Sequence, residues 1–400
     1  MKKLILLVLA ALLFVAEPSS AAAASPNIVW STNAHPGSAG TKIYVAFSPD
    51  GALLASSGGD SCGVCTNDQI KIWISGIGEL VRTIAGRSPW APAISISPLG
   101  DVVAGSGGTH HLKLWSIADG SVVQDIISYD TVEDDIDDVS AIAFTPDGQF
   151  ISVASCCGYG LITMWRVSDA SFVRSFGFNT QGGVPSLAIS PDGATAAAGE
   201  PYYIWLFRIA DGAEIRTLGP ANSAPVFSPD GRILAVGARD EIALWNPNDG
   251  TLVRSLVGHS AAVLAVAFTP DGKSILSAGD DGTIRFWRVL DGALLQTYDQ
   301  ETTNITSLVV SPTGRSFGYA RRDGTIAVAY LPVLITSITR NGTQSVVQWQ
   351  GGSGLYQVQQ CTNLTTGGWQ NIGGSMSNNT ATNEICNGNI FYRVQSLPNP

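Results

Sequence analysis

Short runs of alternating apolar and polar residues recur along most of the chain, separated by turns that contain glycine and proline. The clearest stretch has strand-like segments at residues 263–268, 274–278, 283–287 and 293–298. β-Branched and apolar residues fill these segments, and Pro-Asp-Gly or Asp-Gly sequences fill the turns, where the backbone adopts conformations that most residues avoid. The pattern predicts a unit of four short antiparallel strands.

The same unit occurs seven times. A Ser/Thr-Pro-x-Gly turn marks each copy, with its proline at positions 49, 98, 146, 191, 229, 270 and 312, so the copies lie 38 to 49 residues apart. A tryptophan ends the third segment of five copies, at Trp73, Trp115, Trp165, Trp245 and Trp287. A repeat of this length and content is typical of β-propellers, in which each unit forms one blade.

In this repeat the chain resembles the WD40 family of β-propellers, over roughly residues 28–332. The sixth unit comes close to the family signature, although no tryptophan is followed by aspartate and Gly-His occurs once. The resemblance implies a hydrogen-bonded tetrad of His259, Ser277, Asp281 and Trp287, and we expect no second set like it. His35, in the loop before the first unit, has no partner that the sequence identifies.

The ends of the repeat array predict how the ring closes. The seventh unit has three strand-like segments and then reaches Pro332, whereas an unassigned strand begins at Asn27 and ends at Ser31. Pairing that strand with the seventh unit would complete the last blade and remove two exposed strand edges. We therefore expect a seven-bladed WD40-like propeller over residues 25–332.

Residues 333–400 differ from the repeats in carrying little charge and many Asn, Thr, Gln and Gly residues. Tyr356-Gln-Val-Gln and Phe391-Tyr-Arg-Val resemble strands of a fibronectin-III-like module, which implies a small β-sandwich. A disulfide between Cys361 and Cys386 would stabilise so small a unit. The predicted fold class is thus all-β, with a seven-bladed propeller followed by a small sandwich.

Residues 1–24 have the features of a signal peptide. Lys2 and Lys3 precede 13 apolar residues, and small residues follow up to Ala24. That run is shorter than the about 20 residues of a membrane-spanning helix, and cleavage after it would leave no transmembrane anchor. We expect an exported protein, periplasmic or secreted.

Composition narrows the function. Only 14% of residues are charged and the net charge is −10, which argues against nucleic acid, because binding its phosphates needs clustered Lys and Arg. The chain contains no nucleophile elbow, phosphate loop or HExxH motif and has four histidines. We expect a binding protein without cofactor rather than an enzyme. We also expect a monomer, because a closed ring is stable by itself.

In a four-stranded meander, the a–b and c–d turns form one surface, here named the turn face, and the b–c and d–a loops form the other, the loop face. The turn face has near-identical sequences in every unit, whereas the loop face varies, so we expect binding on the loop face. The candidate partner-binding residues are Tyr129, Asp130, Glu133, Asp134, Asp135, Asp137, Asp138, Tyr159, Tyr202 and Tyr203. Calcium binding by the acidic run is the weaker interpretation, because the EF-hand spacing is absent.

The loops of the first three units also hold most of the cysteines and two histidines. Export favours a local Cys62–Cys65 disulfide and a vicinal Cys156–Cys157 disulfide. The alternative is a soft-metal site that adds His110 and His111 to these thiols. The leading hypothesis is therefore an exported, non-enzymatic scaffold that binds a protein or peptide, and the alternative is a metal-dependent or redox activity at the Cys/His loops of blades 1–3.

Overall fold

A computed structural model describes most of the repeat region and part of the C-terminal segment. The described residues are 27–36, 43–58, 69–85, 93–108, 111–127, 139–155, 161–177, 184–200, 202–219, 223–299, 304–332, 334–341, 344–350, 356–361, 370–376, 380–384 and 391–396. Every regular element within these ranges is a β-strand, so the predicted all-β class is confirmed. No helix in this part of the chain is long and apolar enough to cross a membrane.

Seven four-stranded antiparallel sheets make up the repeat region, and the predicted seven-bladed β-propeller is confirmed. The strands are lettered a to d within each blade, and strands a of neighbouring blades contact one another around the centre. Blades 1 to 3 contain β2 (Tyr44–Phe47), β3 (Leu53–Gly58), β4 (Gln69–Ile74), β5 (Leu80–Ala85), β6 (Ile94–Ile96), β7 (Val102–Gly108), β8 (His111–Ser116), β9 (Val122–Ile127), β10 (Val139–Phe144), β11 (Phe150–Ser155), β12 (Leu161–Arg166) and β13 (Phe172–Gly177).

Blades 4 to 6 repeat the same a-to-d order along the chain, and blade 7 takes its outer strand from the N-terminal part of the described chain. These blades contain β14 (Ser186–Ile189), β15 (Thr195–Gly199), β16 (Ile204–Arg208), β17 (Glu214–Leu218), β18 (Val226–Phe227), β19 (Leu234–Ala238), β20 (Glu241–Trp245), β21 (Leu252–Val257), β22 (Val263–Phe268), β23 (Ser274–Gly279), β24 (Thr283–Arg288), β25 (Leu294–Asp299), β26 (Ile305–Val310), β27 (Ser316–Arg321), β28 (Thr325–Tyr330) and β1 (Ile28–Asn33).

Ring closure joins residues that are far apart in the chain. Strand β1 pairs antiparallel with β28, with Trp30 opposite Val328. Between blades 1 and 7, the Thr306 hydroxyl donates to the Ile43 carbonyl at 2.8 Å, and the Val45 N–H donates to Ser307 Oγ at 3.3 Å. The N-terminal strand is therefore part of the last blade while the chain continues directly into the first.

The hydrophobic core lies between blades rather than in one central mass. Strands b and c of each blade present apolar side chains to the next blade, so that Leu276 and Phe286 of blade 6 pack with Phe317 of blade 7. An equivalent cluster joins blade 7 to blade 1 through Ile326 and Leu54. Each fully buried Leu or Phe contributes about 1.5–3 kcal/mol, so this packing is the main source of stability of the ring.

The a–b turns of the turn face are stabilised by hydrogen bonds from their own side chains. In blade 1 the Ser48 hydroxyl donates to Asp50 Oδ1 at 2.6 Å, and the Ala52 N–H donates to the same oxygen at 2.9 Å. Gly51 follows with φ of +72°, and a β-carbon there would lie 2.7 Å from Ser311 Oγ of blade 7. Glycine is therefore required both by the backbone conformation and by the close approach of the neighbouring blade.

The C-terminal segment forms two small sheets with strand orders β29-β30-β33 and β32-β31-β34. Their strands are β29 (Leu334–Asn341), β30 (Gln344–Gln350), β31 (Tyr356–Cys361), β32 (Gln370–Met376), β33 (Thr380–Glu384) and β34 (Phe391–Ser396). Val347 and Trp349 of one sheet are buried in one cluster with Val358 and Ile372 of the other. A small β module therefore follows the propeller.

Candidate functional site

Tyr202 and Tyr203 are the predicted partner-binding residues that fall within the described chain. They lie on the loop face, in the b–c turn of blade 4, where the Glu200 N–H donates to the Tyr203 carbonyl at 2.8 Å. Their exposed fractions are 73% and 51%. The remaining candidates lie outside the described residues, and they are Tyr129, Asp130, Glu133, Asp134, Asp135, Asp137, Asp138 and Tyr159.

Charged residues continue along the loop face from blade 4 to blade 6. We name Glu200, Asp240, Glu241 and Asp280 the acidic arc, because these carboxylates belong to the b–c turns, or to the strand residue that follows them, in three successive blades. Asp240 and Asp280 are exposed, whereas Glu200 and Glu241 are half-buried. Arg239 adds one positive charge within the arc. The arc therefore carries a negative potential that attracts cations.

The four tetrad residues of blade 6 are brought together in one chain of hydrogen bonds. Ser277 Oγ lies 2.7 Å from His259 Nε2 and accepts from Trp287 Nε1 at 2.8 Å. The other ring nitrogen of His259, Nδ1, lies 2.9 Å from Asp281 Oδ2. The arrangement fits a neutral imidazole that donates from Nδ1 and accepts from the Ser277 hydroxyl.

Burial and neighbouring groups shift the pKa values in this network. Burial lowers the pKa of His259, and the nearby Asp281 charge acts in the opposite direction without overcoming it. Burial alone would raise the pKa of Asp281, but bonds from the Ser260 N–H, the Thr283 hydroxyl and His259 bring it down to about 2. At neutral pH the network therefore joins a neutral histidine to an ionised aspartate. Because the histidine side chain is inaccessible to solvent, its role is structural.

A smaller network occurs in blade 1, where a histidine, a serine and a tryptophan are joined and no aspartate of the described chain takes part. His35 is buried, its Nε2 lies 2.9 Å from Ser56 Oγ, and Trp73 Nε1 donates to the same oxygen at 3.0 Å. The expectation that His35 lacks a partner was therefore wrong. Sequence reasoning missed this set because no Gly precedes the histidine and a long b–c loop separates Ser56 from Trp73. The Ser-x-Gly sequence shared by strands β3 and β23 was the available signal.

Other blades lack a serine at the position of Ser277, and the indole N–H of their tryptophan is treated differently. In blade 3, Trp165 Nε1 donates to Thr163 Oγ1 at 3.0 Å, within the same strand. In blade 5, Val236 occupies the position of Ser277, and the buried Trp245 Nε1 has no hydrogen-bond partner among the described residues. The polar network is therefore an addition to some blades and not a condition for forming one.

The turn face differs from the loop face in how its carboxylates are used. In five a–b turns an aspartate accepts a hydrogen bond from the Ser or Thr two residues earlier, as Asp50 does, and the others are Asp147, Asp192, Asp230 and Asp271. Hydrogen bonds from the Ser48 hydroxyl and the Ala52 N–H lower the pKa of Asp50, although it is exposed. The negative charge of this face therefore stabilises the turns themselves.

Arginines of the outer strands also donate hydrogen bonds to backbone carbonyls on the turn face. Arg82 of blade 1 donates through Nη2 to the Ala118 carbonyl at 2.6 Å and through Nη1 to the Asp119 carbonyl at 2.9 Å, both in blade 2. Arg254 of blade 5 reaches the carbonyls of Leu290 and Asp291 in blade 6 in the same way. These bonds cap the c–d turn of the next blade, so they connect blades and are not available to a ligand.

Most of the metal and disulfide candidates lie outside the part of the chain that the structure describes. Cys62, Cys65, His110, Cys156, Cys157 and Cys386 lie outside the described residues, and for Cys361 the backbone position in β31 is described. His111 is described, and its Nδ1 lies 2.8 Å from Asp125 Oδ1, with Lys113 Nζ 3.5 Å from the other carboxylate oxygen. Across the described ranges, no three His, Cys, Asp or Glu residues are placed to hold a metal ion. The disulfides remain predictions.

Comparison with known proteins agrees with this architecture. The family profile of the WD domain, G-beta repeat, matches residues 131–166 and 250–288, and the second match contains the whole tetrad of blade 6. An uncharacterized WD repeat-containing protein of Synechocystis, sll1491, is 31% identical over 144 residues, which are 35% of this chain and 40% of that protein.

Longer and weaker similarities extend to fungal and amoebal proteins. The nuclear distribution protein PAC1 of Arthroderma otae is 27% identical over 271 residues, covering 58% of this chain and 55% of that protein. The periodic tryptophan protein 2 homolog of Dictyostelium discoideum is 26% identical over 217 residues, covering 52% of this chain and 23% of that protein. The chain thus spans at most about half the length of these relatives. Two segments of this seven-bladed β-propeller therefore carry WD40 repeats.

Proposed function

We propose that this chain is an exported scaffold that binds a protein or peptide through its loop face. The observation that carries the proposal is the contrast between the faces. Turn-face groups such as Asp50 and Arg82 bond to the backbone of the ring, whereas the loop face exposes Tyr202, Tyr203 and Asp240. WD40 propellers generally mediate protein interactions, which supports a binding role. Rigid rings that present variable loops are suited to it.

Site-specific photo-crosslinking in the native host tests the proposed face. A photoreactive amino acid is placed at Tyr203 or Ser260 on the loop face, and at Leu99 or Gln149 on the turn face, all of which are exposed. We expect covalent adducts with a second protein from the loop-face positions and none from the turn-face positions. Adducts confined to the turn face would overturn the choice of face, and the absence of adducts from all four positions would overturn the scaffold role.

Export and the nature of the C-terminal module belong to the same proposal. The basic residues Lys2 and Lys3, the 13-residue apolar run and the small residues before Ser25 support cleavage near Ala24. The sheet orders β29-β30-β33 and β32-β31-β34 support a fibronectin-III-like sandwich. N-terminal sequencing of protein recovered from the periplasm or medium, with its mass before and after reduction, tests cleavage and disulfides together. A retained Met1 or six alkylatable thiols would contradict them.

A further inference from the structure

We propose that the loop face of blades 4 and 5 binds a basic, extended segment of the partner, with Tyr202 and Tyr203 as aromatic contacts and Glu200, Asp240 and Glu241 as counter-charges. This inference rests on the proposed function, because it names the class of partner that the same face takes. The partner segment would carry Lys or Arg side chains next to apolar ones.

The two tyrosines are held in place by the backbone of their turn. Strands β15 and β16 pair up to Gly199 and Ile204, and the Glu200–Tyr203 hydrogen bond of 2.8 Å closes the turn between them. Both rings are nevertheless largely exposed, at 73% and 51%. Exposed tyrosines on a fixed turn lose little conformational entropy on binding, and their ring faces attract Lys and Arg.

Blade 5 places carboxylates and an apolar side chain on the same face, one blade further round the ring. Glu241 lies opposite Val257 across strands β20 and β21, and Val257 is 70% exposed. The preceding Arg239 has φ of +59°, and its carbonyl accepts from the Val263 N–H at 2.6 Å, which ties the turn to blade 6. The guanidinium of Arg285, which lies beside Gly258, is paired with Asp281. Three carboxylates then stand against the guanidinium of Arg239, so a basic segment is favoured over an acidic one.

The tyrosine pair differs from the other exposed apolar residues of the ring. Most of those residues lie on the turn face or at the start of an outer strand, in nearly every blade, as Val122 and Leu252 do. Such repetition is explained by the geometry of an outer strand. The other described b–c turns, at 239–240, 280–282 and 322–324, have no aromatic residue. The tyrosine pair is therefore a feature of blade 4 that the ring does not need for its own structure.

Fluorescence anisotropy with the full chain tests the partner class. The probes are three labelled peptides of equal length with alternating Lys-Val, Glu-Val or Ser-Val sequence. We expect the Lys-Val peptide to bind and the other two not to bind. The double variants Tyr202→Ala/Tyr203→Ala and Asp240→Asn/Glu241→Gln should each weaken binding about tenfold, and the carboxylate variant should reduce its salt dependence.

Matched variants separate this site from general attraction to an acidic protein. Ile77→Ala/Glu79→Gln removes an exposed apolar side chain and a carboxylate from the turn face, and it should leave binding unchanged. Tyr202→Phe/Tyr203→Phe keeps the ring faces and should retain most of the affinity. Equal binding of the Glu-Val or Ser-Val peptide, or an equal loss in the turn-face variant, would overturn the inference.

The crosslinking experiment distinguishes failure of this inference from failure of the proposed function. The partner peptide attached at Tyr203 is sequenced by mass spectrometry, and we expect it to be rich in Lys or Arg. An acidic or uncharged peptide at this position would overturn the basic-segment inference and leave the loop-face scaffold standing. Absence of any loop-face adduct would overturn the scaffold itself.

Discussion

Blades 5 and 6 are neighbours with the same order of four strands and the same Pro-Asp-Gly and Asp-Gly turns on the turn face, yet the tryptophan of strand c is bonded differently in each. Trp287 of blade 6 donates to Ser277, which joins it to His259 and Asp281. Trp245 of blade 5 lies opposite Leu234, near Val236, and its indole N–H has no hydrogen-bond partner in the described chain. The comparison teaches that the turn sequences and the packing between blades are sufficient for a blade to form. The buried polar network is an additional source of stability in the blades that have it.

The largest expected effect comes from removing the hydroxyl that joins the blade 6 network. Ser277→Ala leaves the Trp287 N–H and the His259 Nε2 without their shared partner in a buried site, which should lower the free energy of unfolding by about 2–4 kcal/mol. Denaturant unfolding measures this change. Ser260→Ala, at an exposed residue of the same blade, is the control and should change the free energy of unfolding little. A loss in Ser277→Ala no larger than in the control would show that the network contributes nothing.

A somewhat smaller effect is expected from the glycine that makes room for the histidine. A β-carbon at Gly279 would lie 2.5 Å from His259 Nδ1 and 2.7 Å from Asp281 Oδ1. Gly279→Ala should therefore displace the imidazole and cost about 1–3 kcal/mol. Gly76→Ala is the matched control, because nothing lies within 4 Å of a β-carbon there. Equal unfolding free energies for the two variants would contradict the proposed crowding.

The pH dependence of stability should also distinguish blade 6. Burial lowers the pKa of His259, so the unfolded chain binds a proton near its ordinary pKa of about 6.5, while the folded chain does not until lower pH. The stability due to neutral His259 is therefore complete above about pH 6.5 and falls as pH drops, by up to about 1.4 kcal/mol per pH unit.

Denaturant unfolding of His259→Gln at a series of pH values measures this contribution. We expect a shallower loss of stability below about pH 6.5 than in the unaltered protein, whatever the variant costs at neutral pH. Ser260→Ala removes no titratable group and should keep the original slope. Identical slopes for His259→Gln and the unaltered protein would rule out a contribution of His259 to acid sensitivity.

The smallest effect should come from giving blade 5 part of the missing network. Val236→Thr places a hydroxyl where Ser277 stands in blade 6, so the Trp245 N–H gains an acceptor. Val153→Thr is the same change in blade 3, where Trp165 already donates to Thr163. Both variants bury a hydroxyl, but Val236→Thr should be less destabilising by about 1 kcal/mol in thermal unfolding. Equal losses would mean that Trp245 does not use the new acceptor.

Much of the fold could be predicted because its determinants are local. The Ser-Pro-Asp-Gly turns satisfy their own polar groups within five residues, as the bonds between Ser48, Asp50 and Leu53 show. The four tetrad residues of blade 6 lie within 29 positions of one another, which is why a signature could identify them. The blade 1 network was missed because the b–c loop of that blade makes the spacing from Ser56 to Trp73 longer than that from Ser277 to Trp287.

The candidate site was predicted only in part. Sequence variation indicated the loop face and included Tyr202 and Tyr203, but it gave no reason to join them to Asp240 and Glu241 of the next blade. That relation depends on the placement of one sheet beside another. It also depends on turn-face arginines, such as Arg82, donating to the carbonyls of a neighbouring blade, a contact that residue order does not show.

The sequence by itself determined the repeating unit, the number of blades and the chemistry of the turns, because these follow from residue order within about 40 positions. The sequence also indicated the strand that closes the ring, but the tertiary structure alone decided which residues of the first and last blades meet, which histidines are buried and which tyrosines and carboxylates share a surface. Ile43 bonds to Thr306 across the junction of the first and last blades, and His35 joins Ser56. Such contacts form only when separate sheets pack together, since burial and approach of distant residues are properties of the assembled ring.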